Sequence, residues 1–184
     1  TRGIDVSEWQ ETINWAKVKK SDVDFAFVRI AHGIKYQDKN FDYNMKQAEL
    51  AGVPVGTYVY STATNTAGAL KEAQLAIKMK GYKVSYPVAY DLEDAKLEKL
   101  SPRTISRMAL AFCNEIRQAG YYPIIYCNTY WYDYHIDWSI LSGLDVWIAR
   151  YGDAIQAPDA DHYSYTIWQA TDGNTANRLN STRG

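Results

Sequence analysis

The chain has 184 residues, 47% of them hydrophobic and 22% charged, which is ample material for one compact domain with a single core. A formal net charge of −1 gives no basic face for nucleic acid, and no run nears the roughly 20 apolar residues that cross a bilayer, so neither nucleic acid nor membrane is an expected partner. Aromatic residues are the unusual component: 16 Tyr and 6 Trp exceed what a core needs, because their polar tips require partners, and this points to a wet, ring-lined cleft.

In chain order, the opening Thr1-Arg2-Gly3-Ile4-Asp5 carries no signal-peptide pattern, so an export signal is expected to have been removed or never to have existed. A first strand is expected at 4–7 and a second at 25–30. A helix follows over about 41–52, then a strand at 55–60 and a helix across much of 65–81, each helix ending in a glycine able to take the left-handed conformation. After a strand at 87–93 comes the best-signalled helix: Ser101 caps it, Pro102 sits in its first turn, Ile105, Met108, Ala109, Phe112 and Ile116 form an apolar face, and Gly120 ends it. Strands are expected at 124–127, 146–149 and 165–169, with the Tyr/Trp-rich stretch Thr129 to Tyr134 in place of a regular crossover. The rhythm predicts an α/β fold with a mainly parallel sheet, curled into an irregular TIM-like barrel with fewer outer helices than strands. Seven strands leave a gap beside the first, so the neighbours close it or a final strand is short, atypical or cut off. With no linker or repeat, residues 1–184 read as a single catalytic domain that lacks a regular last strand.

Cys113 and Cys127 have no metal-ligand spacing and read as buried free thiols; His32, His135 and His162 are scattered. Neither a metal site nor a cofactor is expected.

In parallel barrels the working residues sit at the C-terminal ends of the strands. The run Tyr86 to Asp94 places Asp91 and Glu93 two apart after an apolar strand, so both face one side. Two acids in a partly dry cleft favour retention of one proton, and Glu93, the outer one, is the expected donor. Cleavage of a glycosidic bond needs such a donor and a second negative group near the oxocarbenium-like transition state, which Asp91 supplies. Asp5, near the end of the first strand, opens on the same face. The competing reading makes the Asp-x-Glu a helix cap and first-turn acid. Tyr58, Tyr60, Tyr126, Trp147, Tyr151 and Trp168 fall near strand ends and would ring the mouth, offering faces for sugars. Arg29, Arg150 and Gln169 are candidates to bond sugar hydroxyls or hold carboxylates, with structural ion pairs the alternative for the arginines.

These residues resemble, in order and over nearly the whole chain, the bacterial and phage lysozymes of glycoside hydrolase family 25. The resemblance rests on Gly3-Ile4-Asp5-Val6-Ser7 with Trp9-Gln10; Asp24 to Arg29 with Gly33; Asp38, Phe41 and Asn44; and Val55 to Ser61. It continues through Pro87 to Glu93, Gly120 to Tyr126, Val146 to Tyr151 and Ile167-Trp168-Gln169. It implies an N-acetylmuramidase on a modified barrel, with Glu93 as acid/base, Asp91 as partner carboxylate and Asp5 as first-strand acid. Asp91 would either stabilise charge itself or steer the substrate's own acetamido group as nucleophile. The implied partner is bacterial cell-wall peptidoglycan, and the implied setting is secretion, the cell wall or release from a phage at lysis, as a monomer. The family's further aspartate, in a Val-Asp-x-Asn-like run on the last strand, has no match; Asn177 is the nearest candidate, replacing the acid or marking a turn before a strand beyond Gly184. That departure keeps open a glycan-binding module without turnover, and a barrel amidase or metal-dependent esterase is a third possibility.

Overall fold

The computed structural model describes residues 1–78, 81–152 and 156–172. Its strands are β1 (Gly3–Val6), β2 (Phe25–His32), β3 (Tyr36–Gln37), β4 (Val55–Tyr60), β5 (Val88–Asp91), β6 (Pro123–Asn128), β7 (Asp145–Ala149) and β8 (Ile167–Gln169). Its helices are α1 (Trp15–Lys20), α2 (Phe41–Ala51), α3 (Thr66–Ile77), α4 (Pro102–Gln118) and α5 (Thr129–Tyr134). Seven strands run parallel in the order β1-β2-β4-β5-β6-β7-β8, and the short β3 pairs antiparallel with β2. The result is a curled half-barrel with helices outside, the fold class the sequence predicts. Among the described residues β1 and β8 are its unpaired edges, and the polar tail beyond Asp172, Asn177 included, lies outside them.

A parallel sheet is buried on both faces, so its strands carry apolar residues almost continuously. One face packs on the helices through Val28, Val55, Val59, Tyr90, Ile125 and Ile148. The other fills the barrel with rings: Phe27 stacks on Trp147 at 4.4 Å, and Tyr126 meets Trp147 edge-on at 4.7 Å. Gly56 faces the same space, where a Cβ would lie 2.5 Å from Phe27 Cε1 and 2.6 Å from the Pro87 carbonyl oxygen.

The capped α4 forms as predicted: Ser101 accepts from the Thr104 N–H, and Ile105, Met108, Ala109, Phe112 and Ile116 are buried. Gly52 and Gly120 take positive φ of 69° and 88° after α2 and α4, where a side chain would be strained. Two elements went unread in the sequence because they are short. Helix α1 spans 6 residues and buries Trp15, whose Nε1 donates to Asn44 on α2 at 3.1 Å; strand β3 spans only 2 residues. The stretch after β6, read as irregular, holds α5, with Asn128 accepting from the Trp131 N–H as cap and Trp131 as its buried anchor. Both cysteines are free and buried. Among the described residues no helix is long and apolar enough to cross a membrane.

Gly56→Ala should overpack the barrel floor against backbone as well as side chain, lowering stability by about 1–3 kcal/mol. A urea midpoint shift with unchanged far-ultraviolet circular dichroism would show it; an unshifted midpoint would refute it.

Candidate active site

Parallel register brings the C-terminal strand ends to one rim. His32, Tyr60, Asp91, Tyr126, Trp147 and Ile167 form a single row across β2, β4, β5, β6, β7 and β8. Because strand side chains alternate, Asp91 faces the same interior as Ala89, and Asp5 on β1 faces it beside Phe27.

Asp91 ends β5 and is 7% exposed. Its Oδ1 is buried without a hydrogen-bond partner among the described residues. Burial pushes its carboxyl well above the usual carboxylate range, and the charge of Glu93 pushes the same way. Glu93, two residues on, accepts a short hydrogen bond from the Asn128 backbone N–H at the start of α5. Burial raises its pKa too, and the Asn128 N–H, which favours the ionised form, opposes the rise. Asp5 is likewise raised by burial and opposed by a bond from Gln169. The sequence assigns the retained proton to Glu93; in the folded protein burial raises all three carboxyls. Asp91 and Glu93 titrate as a coupled pair, since the charge of Glu93 raises Asp91. The helix-cap alternative falls to a neighbour, since Asp94 accepts from the Lys96 N–H at 2.9 Å and makes the turn.

Gln169, at the end of β8, is the hub of the rim. Its Oε1 accepts from Tyr126 Oη at 2.5 Å and from Tyr151 Oη at 2.6 Å, while its Nε2 donates to Asp5 Oδ2 at 2.7 Å. Two phenols on the carbonyl side fix the amide so that its N–H faces Asp5. The bond spans the seam between β8 and β1, where the described residues leave a cavity of about 720 Å³ lined in part by Asp5, Phe27, Trp147 and Gln169. Gln169 therefore binds a carboxylate, one of the two roles its position suggested.

The predicted aromatic ring is brought together only in part. Tyr58, Tyr60 and Tyr126 face the interior or the rim, and Tyr151 is 38% exposed beside Gln169. Trp147, 5% exposed and packed between Phe27 and Tyr126, forms the floor rather than an open platform. Trp168 plays two parts: strand alternation turns it opposite to Gln169, so it packs against the outer core and donates to the Arg150 carbonyl oxygen, while it also lines the seam cavity. Arg29 is a correction. Its Nε bonds Asp38 Oδ2 and its Nη2 bonds Glu8 Oε1, both at 2.9 Å, so it serves a buried ion-pair corner rather than sugar hydroxyls. Arg150 bonds the Ala157 carbonyl oxygen. The sequence reading missed Asn128, although an Asn before an aromatic run is a cap signal, and missed Glu8, whose pairing depends on the fold alone.

Paired acids at the C-terminal mouth of a curled parallel sheet, with a third on β1, have the composition that glycoside hydrolysis calls for. The model of glycosyl hydrolases family 25 matches residues 4–178, and the chain belongs to that family. It is 24% identical to lysozyme M1 of Streptomyces globisporus over 179 residues, which are 91% of this chain and 60% of that protein. Among solved structures it is similar to a family 25 glycosyl hydrolase from Bacillus anthracis (TM-score 0.78, 23% identity, 92% of this chain and 78% of that one). It is also similar to the modular autolysin LytC of Streptococcus pneumoniae in complex with a synthetic peptidoglycan ligand (TM-score 0.76, 26% identity, 92% and 42%). The chain spans 52% to 65% of the length of curated relatives it matches.

The raised Asp91 carboxyl sets a sign for stability. The folded state binds this proton more tightly than the unfolded chain, so its contribution is present at low pH and is lost as pH rises from the ordinary carboxylate range through the folded pKa. Asp91→Asn removes that titration. It should be more stable than the parent at pH 7 by about 1 kcal/mol or more, with the gap narrowing toward acid pH. Urea midpoints measured across pH would reject the assignment if the gap stayed constant or widened in acid.

Proposed function

We propose that this chain hydrolyses the β-1,4 bond between N-acetylmuramic acid and N-acetylglucosamine in bacterial peptidoglycan, with Glu93 as general acid/base. The observation that carries the reading is the convergence of Asp91 and Glu93 on one rim, both raised by burial, with Asp5 held opposite by Gln169. Glu93 is the half-buried acid and the more accessible of the pair, so it gives its proton to the departing glycosidic oxygen. Asp91 lies deeper, where a negative charge opposes the positive charge developing at the anomeric carbon or orients the substrate's acetamido group. Water then adds its oxygen to that carbon and returns a proton to Glu93. The lysozyme name of one relative and the peptidoglycan ligand bound to another support this substrate. The same relatives support action at the wall, whether the protein is secreted or released from a phage.

Glu93→Gln should lower release of reducing ends from purified wall by about 10²–10⁴-fold while the fold is retained. Mass spectrometry of the products should show muramic acid at the new reducing end; N-acetylglucosamine there, or an active Gln variant, would overturn the assignment.

A further inference from the structure

A second hollow opens on the same rim, away from the acids. It has a volume of about 400 Å³ and is lined by Glu8, Trp9, Arg29, His32, Tyr36 and Lys39. Trp9 is 77% exposed, an unusual state for an indole, and it is held there rather than left loose. It sits on a 3-10 turn, Glu8–Gln10, closed by a reciprocal pair of bonds between Ser7 and Gln10. The turn is tied to the next loop by the Glu8 N–H on Asp38 Oδ2 at 3.0 Å. The Glu8 carboxylate is engaged by Arg29 Nη2, by Tyr36 Oη at 2.5 Å and by Lys39 Nζ at 3.4 Å. A braced turn thus presents an exposed indole to solvent in a hollow that the half-exposed Tyr36 also lines.

The charges at the hollow are arranged unequally. Arg29 is buried and divided between Glu8 and Asp38, whose carboxylates it neutralises. The Lys39 side chain is 69% exposed, and its 3.4 Å approach to an already engaged carboxylate leaves ammonium hydrogens directed outward. The surface offered to a ligand is therefore a flat apolar face next to a cation, which suits an amphipathic group carrying a carboxylate. Its place fits a substrate group one step along the strand. His32 meets Tyr60 with tilted rings at 4.4 Å, and Tyr60 registers with Asp91, so the hollow starts two strands, roughly 10 Å, from the acids. On the opposite side of Asp91, the exposed Tyr130 and Tyr134 of α5 form a ring pair at 5.3 Å.

Building on the peptidoglycan reading, we infer that this hollow binds the stem peptide borne by a muramyl unit, with Trp9 covering its apolar atoms and Lys39 pairing with one of its carboxylates. The same chemistry could come from the lactyl carboxylate of a bare muramyl sugar, and the experiment separates the two. Parent, Trp9→Ala and Lys39→Glu are assayed on glycan strands with intact stems and on strands whose peptides have been removed by an amidase, which leaves the lactyl acid. On intact strands both variants should raise KM about tenfold with kcat within about twofold; on stripped strands they should match the parent. Isolated stem peptide should shift the Trp9 indole resonance of the parent and not that of Lys39→Glu, a readout independent of turnover. Equal losses on both substrates would assign the hollow to sugar and overturn the inference, as would no loss on either. Failure of the parent to release reducing ends from either substrate would sink the hydrolase reading alone, leaving the resonance shift to decide the hollow.

Discussion

Among the described residues the curled sheet has two unpaired edges and no backbone ladder between them, and one side-chain amide bridges the gap. Gln169 on the last described strand reaches Asp5 on the first, and its carbonyl is held by Tyr126 and Tyr151. The bond works because the amide has a donor end and an acceptor end with different partners available to each. Asp5 thereby gains a fixed position opposite Asp91, and the seam becomes part of the site rather than a defect in the barrel.

The site is electrostatically expensive, and the surrounding structure shows how it is sustained. Three carboxyls are raised by burial, yet each has a different compensation: Asp5 has the Gln169 amide, Glu93 has the Asn128 N–H, and Asp91 has the Glu93 backbone, with its buried Oδ1 unpartnered among the described residues. The unpartnered Oδ1 leaves Asp91 with an unfilled acceptor facing the site. A substrate group able to donate a hydrogen bond would relieve this, and strain relieved on binding favours the occupied state. The rings of Phe27, Trp147 and Tyr126 beneath the acids exclude water and maintain the low dielectric on which these shifts depend.

Beside this centre, the Arg29, Glu8 and Asp38 corner solves a different problem. A buried guanidinium between two carboxylates is tolerated when its fork is satisfied, and breaking one partner leaves a buried charge unpaired. Its consequence is mechanical: it fixes the turn after β1 and the loop after β2 relative to each other, and so holds Trp9 outward at the rim.

Much of this was legible from the residues alone. Apolar runs at 25–30, 55–60 and 146–149 specify strands buried on two faces, and Ser101, Pro102 and Gly120 mark the limits of α4, because caps and burial patterns are local properties. The Asp91 and Glu93 pairing was also local, following from their two-residue spacing, although β5 ends at Asp91 and leaves Glu93, part of the strand expected over 87–93, just beyond it. Strand alternation turns Trp168 toward the outer core, a consequence of its neighbour Gln169 pointing inward. What the sequence could not determine were contacts between residues far apart in the chain. The Gln169 bond to Asp5 joins residues 164 apart, and the Arg29 fork depends on Glu8 and Asp38 arriving from separate loops. Those contacts require strand order and curl, which depend on packing of the whole sheet, so only the tertiary structure decided which acids are held, how strongly each is raised, and which aromatic rings face the opening.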